Sequence, residues 1–200
     1  MFLFTKPNAL SSDLCRGFIE TFEVSTDRQN PGQIYKTNSE SIPDIKQSTD
    51  ISFTPNDLKD PRWGYLLQNL VEVVESGLND YTLRFQTGLT QTDPFRMSSV
   101  FNMQKYKPSE AFHGYHCERA GLRHSDRILV WMIYLNDVTD RGETEFYYQH
   151  HFERAEAGKL VIWPSDWTYI HRGIASPTQT KYILTGWFVH YNLEPNPKSE

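Results

Sequence analysis

Histidines and carboxylates are the groups best suited to chemistry in this 200-residue chain, and all seven histidines lie in its second half. In three places a histidine is followed two residues later by a carboxylate: His116 and Glu118, His124 and Asp126, and His151 and Glu153. Side chains two residues apart in a β-strand lie on one face, so each pair could present an imidazole and a carboxylate to one metal ion. Two histidines and one carboxylate form the facial triad that binds non-haem Fe(II) and leaves coordination positions open.

The third ligand separates these alternatives, and His171 is the strongest candidate because it follows an apolar run typical of a strand. Between His116 and His171 the chain is long enough for several strands to return it to the site, whereas His151 lies too close to His171. The pair that begins at His124 remains possible, but it directly precedes a predicted strand and is typical of the turn before it. The spacing therefore favours His116, Glu118 and His171.

A lysine at the head of the last predicted strand supports this choice. Alternate residues of that strand share one face: Lys181, Ile183, Thr185 and Trp187. A lysine that faces inward among such neighbours needs an anionic partner, and the distal carboxylate of 2-oxoglutarate would serve. The alternative is that Lys181 begins the strand at the surface.

The elements that must position these residues change type along the chain. Apolar periodicity predicts a helix over Ser12–Glu23 and a second helix that opens at Asp60. Residues 25–50 are polar and predict a loop or a weak pair of strands, which could act as a lid. Strand-like runs follow: Tyr81–Phe85, Met97–Tyr106, Arg127–Leu135, Glu145–His150, Leu160–Trp163 and Lys181–Tyr191. Helices followed by strands predict an α+β fold, with a sandwich or barrel packed against helices.

Composition excludes several classes of protein. Aromatic residues make up 14 % of the chain, which argues against disorder. The net charge of −5 disfavours a nucleic-acid binder with a broad basic face, and no apolar run is long enough to predict a membrane span. The N-terminus lacks the features of a signal peptide, and Cys15 and Cys117 form no disulfide framework. We therefore expect a cytoplasmic protein.

Several sequence runs occur in an order that is more specific than any one of them. They are Asp13-Leu14-Cys15, Tyr106 to Glu118, Arg127 to Asp137, Gly142-Glu143-Thr144-Glu145-Phe146, Ala157 to Pro164, and Lys181 to Phe188. Together they resemble the 2-oxoglutarate- and Fe(II)-dependent dioxygenases of the prolyl hydroxylase type. The resemblance implies a mainly β, α+β fold: a double-stranded β-helix, or jelly roll, with N-terminal helices packed against one sheet.

The same resemblance implies one domain over residues 1–200. Its helical support would cover about 8–80 and its jelly-roll core about 81–192. We expect the tail, residues 193–200, to be disordered.

The resemblance also assigns cofactors and their ligands. It implies that His116, Glu118 and His171 hold Fe(II), with 2-oxoglutarate as cosubstrate and O₂ as oxidant. Lys181 would pair with the far carboxylate of 2-oxoglutarate, and Tyr134 would donate its hydroxyl to that carboxylate.

Four more residues receive roles from the resemblance. Tyr106 and Thr185 would line the cosubstrate pocket, and Arg127 and Trp187 would face the prime substrate. The chain departs from the family pattern at Glu118, where aspartate is usual, so one extra methylene must be accommodated.

The reaction implied is hydroxylation of an unactivated C–H bond in a prolyl residue of a peptide or protein, with O₂ consumed and succinate and CO₂ released. Three alternatives stay open. They are a hydroxylase of a free amino acid or other small molecule, a non-catalytic jelly-roll binding module, and a cupin-like metal enzyme without 2-oxoglutarate. The last gives Lys181, Tyr134 and Thr185 no shared role.

Overall fold

The computed structural model describes residues 1–32 and 45–191. The α-helices of this part are α1 (Ser12–Val24), α2 (Gly64–Arg84) and α3 (Gln86–Leu89). The strands are β1 (Phe4–Lys6), β2 (Asn30–Pro31), β3 (Thr49–Phe53), β4 (Phe95–Met97), β5 (Phe101–Tyr106), β6 (Arg127–Tyr134), β7 (Thr144–Phe146), β8 (His151–Glu153), β9 (Leu160–Pro164), β10 (His171–Gly173) and β11 (Lys181–His190). Short 3₁₀ helices cover Thr26–Arg28, Pro55–Lys59, Leu122–His124 and Trp167–Tyr169.

These strands form two antiparallel sheets. The larger has eight strands in the order β1-β9-β6-β11-β5-β3-β2, with β4 also paired to β11, and the smaller has the order β10-β7-β8. The described part of the chain is therefore the double-stranded β-helix that the resemblance implied.

The two faces of the larger sheet have different partners. One face forms a core with the helices, in which Phe18 and Leu67 pack with sheet residues such as Trp131. The other face forms a second core with the smaller sheet, in which Met132 and Trp163 pack with Phe146. The alternation of side chains along β6 and β9 supplies both faces, as a strand buried on both sides requires. The candidate functional site, described below, lies on the same side of the larger sheet as this second core.

Helix α2 packs directly on strand β9. Gly77 faces that strand, and a Cβ atom at this position would overlap Leu160 Cδ2. The absence of a side chain at Gly77 thus lets the helix backbone come close to the sheet. The expectation that the helices pack against one sheet is confirmed.

The predicted first helix, Ser12–Glu23, is confirmed, and the Ser11 side chain caps it by accepting a hydrogen bond from Leu14 N. The second helix begins later than predicted. The Asp60 carboxylate accepts hydrogen bonds from Arg62 N and Trp63 N, but regular helix begins only at Gly64. Asp60 therefore caps the turn that leads into α2.

The predicted strand Tyr81–Phe85 is wrong, because Tyr81 and the residues after it form the last turn of α2. Tyr81 continues the buried stripe of Leu67, Leu70 and Val74, so helical periodicity outweighed the β-propensity of one aromatic run.

Two other predicted strands are interrupted. The run Met97–Tyr106 is divided between β4 and β5. The run Glu145–His150 is a short strand followed by a tight turn, in which His150 has a φ of 49° and its N–H donates to Tyr147 O. A left-handed residue cannot continue a strand, so pairing resumes only at His151.

The sheet also includes segments that lie before the predicted core. Strands β1 and β3 both come from the first 53 residues. In the larger sheet β1 pairs with β9, and β3 pairs with β5. Residues 33–44 of the possible lid and the tail 193–200 lie outside the described residues. Within the described ranges, no helix has the length and apolarity needed to cross a membrane.

Candidate functional site

His116 and His171 lie directly opposite each other in an isolated antiparallel bridge. Each backbone N–H donates to the other residue's carbonyl oxygen at 2.9 Å. Their ring centroids are 4.3 Å apart, so both imidazoles project to the same side of this bridge. Backbone pairing therefore brings together two histidines that are far apart in sequence.

Glu118 completes a cluster of three side chains that could hold a metal ion. Its backbone N–H donates to Ser165 O at 3.0 Å, which fixes the chain just beyond His116. Glu118 Oε1 lies 3.5 Å from His116 Nε2 and 3.9 Å from His171 Nε2. One ligand atom from each residue lies within 4.8 Å of the other two.

Backbone carbonyls orient both imidazoles. His116 Nδ1 lies 3.0 Å from Gly114 O, and His171 Nδ1 lies 3.0 Å from Tyr169 O. A carbonyl oxygen can only accept, so each Nδ1 carries the proton and each Nε2 keeps a lone pair. Both lone pairs are available on the side of Glu118. Two imidazole nitrogens and one carboxylate oxygen are the donor set that suits Fe(II).

The protonation states agree with this arrangement. Burial alone would raise the pKa of Glu118, but the neighbouring histidines, in the pH range where they are protonated, and the hydrogen bond from Trp187 lower it to about 2. Burial and the neighbouring His116 lower the pKa of His171 to about 3. At neutral pH the carboxylate is therefore ionised and His171 is neutral, which are the forms that bind a metal.

The second carboxylate oxygen of Glu118, Oε2, contacts two other side chains. It accepts hydrogen bonds from Trp187 Nε1 at 2.9 Å and from Arg127 Nη1 at 3.2 Å. The Arg127 guanidinium also lies over the Trp187 ring, 3.6 Å from its centroid. Both residues also line the cavity described next, and their predicted contact with the prime substrate stays a prediction.

A cavity of about 1130 Å³ opens onto the three side chains. Lys181 lies in its wall and is 5 % exposed, so it does not begin the strand at the surface. Its Nζ donates to Gly142 O at 2.9 Å and lies 5.3 Å from the centre of the Tyr106 ring. Burial lowers the pKa of Lys181 to about 8, although the charge of Glu143 opposes this shift. Lys181 thus offers a buried positive charge with room beside it.

Of the other residues predicted to bind the cosubstrate, two line the cavity and one does not. Tyr106 and Thr185 line the cavity, and their contact with 2-oxoglutarate stays a prediction. Tyr134 is not among the lining residues, and its hydroxyl lies 2.7 Å from the Thr144 hydroxyl, which does line the cavity. Its contact with 2-oxoglutarate stays a prediction. In that contact the Tyr134 hydroxyl would act beside the Thr144 hydroxyl.

The two other histidine–carboxylate pairs do not join this cluster. His151 Nε2 lies 3.0 Å from Glu153 Oε2, and Lys159 Nζ binds the other oxygen of that carboxylate at 2.6 Å. His124 lines the cavity, but among the described residues it belongs to no group of three metal-binding side chains. The structure therefore brings together the set that the spacing favoured.

Sequence reasoning missed several residues around the site. Phe112 stacks on the His116 ring, and Gln104 and Thr144 line the cavity. Thr144 lies within the Gly142–Phe146 motif, which could have indicated it, whereas no local pattern distinguishes Phe112. His116 and Glu118 do not lie in a regular strand, since β5 ends at Tyr106 and the two residues follow in irregular backbone with an isolated bridge at His116.

Comparisons with known proteins agree with this geometry. Residues 101–189 match the family model described as the 2OG-Fe(II) oxygenase superfamily. No curated protein matches the chain. A viral collagen prolyl hydroxylase from Paramecium bursaria Chlorella virus-1, solved with 2OG, is similar in structure, with a TM-score of 0.69, 16% identity, and coverage of 96% of this chain and 97% of that one.

Two other solved structures are similar at comparable levels. One is a prolyl-4-hydroxylase from Pseudomonas putida, with a TM-score of 0.67, 19% identity, and coverage of 94% of this chain and 92% of that one. The other is a prolyl hydroxylase from Trichoplax adhaerens in complex with a hypoxia inducible factor peptide, with a TM-score of 0.74, 15% identity, and coverage of 94% and 83%. At these identities the likeness establishes the fold.

Proposed function

We propose that this chain, a 2-oxoglutarate-dependent dioxygenase of the 2OG-Fe(II) oxygenase superfamily, hydroxylates a prolyl residue in a peptide or protein. One observation carries the proposal. His116, Glu118 and His171 converge at the wall of a large cavity that also contains a buried lysine. Fe(II), 2-oxoglutarate and O₂ are the cofactor and cosubstrates of the family.

The donor set supports iron binding at these three residues. They would bind the metal from one side only, because His116 and His171 pair in one bridge and Glu118 follows two residues after it. Bound Fe(II), together with 2-oxoglutarate and O₂, supplies the oxidising power that inserts oxygen into an unactivated C–H bond, and 2-oxoglutarate leaves as succinate and CO₂. The protein itself contributes binding, orientation and the exclusion of water.

Lys181 gives 2-oxoglutarate its orientation in this proposal. Its ammonium group would pair with the far carboxylate, leaving the keto acid end directed toward the histidines. A buried ammonium binds an anion more strongly than an exposed one because water competes less. Tyr106 and Thr185 would line the sides of this pocket, and Tyr134 would act next to Thr144.

A peptide substrate is supported by the size of the cavity and by the structural neighbours. At about 1130 Å³ the cavity exceeds the usual range for a single small ligand, so space remains beyond a bound 2-oxoglutarate. The similar proteins are described as collagen prolyl hydroxylase, prolyl-4-hydroxylase and a prolyl hydroxylase bound to a peptide. We also propose a reducing compartment such as the cytoplasm, since Cys15 and Cys117 are free thiols.

The test has two stages. First, the protein is purified without oxygen and titrated with Fe(II) and 2-oxoglutarate while the visible charge-transfer band of the chelate is recorded. Second, blocked proline-containing peptides and free proline are supplied with O₂, and mass spectrometry measures a gain of one oxygen together with succinate release. We expect the band, and hydroxylation of a peptide rather than of free proline.

The matched control is His116→Ala, which removes one ligand. It should lose both the band and the product. A band with hydroxylation of free proline alone would transfer the proposal to small-molecule substrates. No band in the parent protein would contradict the metal site itself.

A further inference from the structure

We infer that Trp187 and Arg127 position Glu118 as a one-oxygen metal ligand, and that this contact is how the site accommodates glutamate where aspartate is usual. The inference rests on the metal site of the proposed function and not on its substrate. It makes Trp187 and Arg127 positioning residues, which act through Glu118.

The contacts divide the two oxygens of the Glu118 carboxylate. Oε2 accepts from Trp187 Nε1 at 2.9 Å and from Arg127 Nη1 at 3.2 Å. Oε1 remains as the oxygen nearer to both histidines, at 3.5 and 3.9 Å from their Nε2 atoms. Two donors on Oε2 leave Oε1 as the better-placed electron pair for a metal, so the carboxylate would bind through one oxygen.

Both donors are themselves held in place. Trp187 lies in β11 opposite Val130 of β6, and its carbonyl oxygen accepts from Ser98 N at 2.8 Å. The Arg127 guanidinium stacks on the Trp187 ring at 3.6 Å, an arrangement that favours a fixed rather than a mobile side chain. The hydrogen bonds to Oε2 therefore come from a rigid wall of the larger sheet.

The backbone around Glu118 is tied to the same wall. Arg127 Nη1 also donates to Glu118 O at 3.2 Å. Ser165 accepts from Glu118 N through its carbonyl and donates through its hydroxyl to Arg127 O at 2.7 Å. Glu118 is thus held at its main chain and at its carboxylate by groups that contact one another.

The length of the side chain makes Trp187 specific for glutamate. A carboxylate on a chain one C–C bond shorter would be drawn back by about 1.5 Å. That shift would break the 2.9 Å hydrogen bond from Trp187 Nε1. Residues 118 and 187 should therefore be energetically coupled, and an aspartate at 118 should lose its dependence on the indole N–H.

A double-mutant cycle with Co(II) as the probe tests this coupling. The proteins are the parent, Trp187→Phe, Glu118→Asp and the double variant, and Co(II) affinity is read from its visible absorption without 2-oxoglutarate or substrate. Phenylalanine keeps an aromatic face for Arg127 but removes the N–H. Trp187→Phe should weaken Co(II) binding about tenfold in the parent. In the Glu118→Asp background the same change should alter it by less than about twofold.

Two controls separate positioning from a general loss of structure. Trp167→Phe alters a tryptophan that is 68% exposed and should bind Co(II) like the parent. Arg127→Met removes the second donor and should also weaken Co(II) binding, with the unfolding midpoint of the metal-free protein recorded for every variant. If Trp187→Phe fails to fold, the same cycle is run with Arg127→Met.

The outcomes are distinguishable. Equal losses from Trp187→Phe in both backgrounds, or no loss in either, would overturn the inference while leaving the metal site intact. A parent protein that binds neither Co(II) nor Fe(II) would overturn the site and with it the proposed function.

Discussion

Phe112 stacks face to face on His116, with ring centroids 3.6 Å apart and ring planes inclined by 9°. The Phe112 carbonyl accepts from Gly173 N at 2.8 Å, so the stacking residue is anchored to β10, the strand that begins at His171. Stacking on Phe112 thereby fixes the plane of the His116 ring. The hydrogen bond to the Gly114 carbonyl fixes which way the ring nitrogens point within that plane.

Replacement of Phe112 with leucine should lower metal affinity without removing a ligand. An aromatic pair contributes about 0.5–1.5 kcal/mol beyond simple burial, which corresponds to a loss of about twofold to tenfold in Co(II) affinity. Calorimetric titration of the metal-free protein measures it. The control is Phe152→Leu, which alters a 55% exposed ring outside the site. Equal affinity of Phe112→Leu and the parent would show that the stacking does not orient His116.

The ligand set itself is tested by two histidine variants. His116→Ala should abolish the Fe(II)–2-oxoglutarate charge-transfer band, because it removes one of three ligand atoms that lie within 4.8 Å of one another. His124→Ala should keep the band, since His124 lies in the cavity wall outside that group. Anaerobic absorption spectroscopy distinguishes them, and a band lost only in His124→Ala would transfer the site to the other histidine.

Lys181 should control the affinity for 2-oxoglutarate. Its Nζ is buried, so Lys181→Met would leave the far carboxylate of 2-oxoglutarate in a pocket without a counter-charge. Truncating one partner of a buried charge pair costs about 2–5 kcal/mol, so the dissociation constant should rise about 30-fold or more. The charge-transfer band measured against 2-oxoglutarate concentration gives this constant. Near-parent affinity would place the anion elsewhere in the cavity.

The same lysine predicts a dependence on pH. Burial lowers the pKa of Lys181 from 10.5 to about 8, so its charge is present at pH 7 and is lost as the pH rises above 8. Affinity for 2-oxoglutarate should therefore fall between pH 8 and 10, by at most about tenfold per unit. For folding the sign is opposite: between pH 8 and 10.5 only the unfolded chain keeps this proton, so this residue's contribution to stability rises with pH. Lys181→Arg keeps its charge and should remove the dependence of affinity on pH, whereas an unchanged dependence would assign it to another group.

The features of the fold and the candidate site that could be predicted from the sequence are those that depend on residues near one another in the chain or on simple spacing. Leu67 and Leu70 repeat at helical spacing, so α2 could be recognised. His116 and Glu118 lie two positions apart, so their shared direction could be proposed. The grouping of His116 with His171 could be predicted because the chain between them is long enough for several strands to return it to the site. These features depend on periodicity and spacing, which a sequence shows directly.

The features that could not be predicted depend on contacts between distant segments. The contact between Trp187 and Glu118 could not be predicted, because nothing in the sequence shows that the longer carboxylate reaches the indole N–H on another strand. Strand β1 has only three residues and is recognisable only through its pairing with β9. Phe112 resembles any other aromatic residue until the His116 ring is placed against it.

Gly158 provides a test of how the N-terminal segment is joined to the sheet. Its φ is 76°, and a Cβ atom there would meet the backbone carbonyl oxygen of Leu10, whose own N–H donates to Gly158 O at 3.1 Å. Gly158→Ala therefore combines an unfavourable left-handed conformation with overlap against rigid backbone, and it should lower the free energy of unfolding by about 2 kcal/mol or more. Denaturant titration measures this change. Gly88→Ala is the matched control, because a Cβ there meets nothing within 4 Å, and it should leave stability unchanged or raise it by up to about 1 kcal/mol. Equal stability of the two variants would mean that the segment around Leu10 moves aside at little cost and is not firmly joined to the turn before β9.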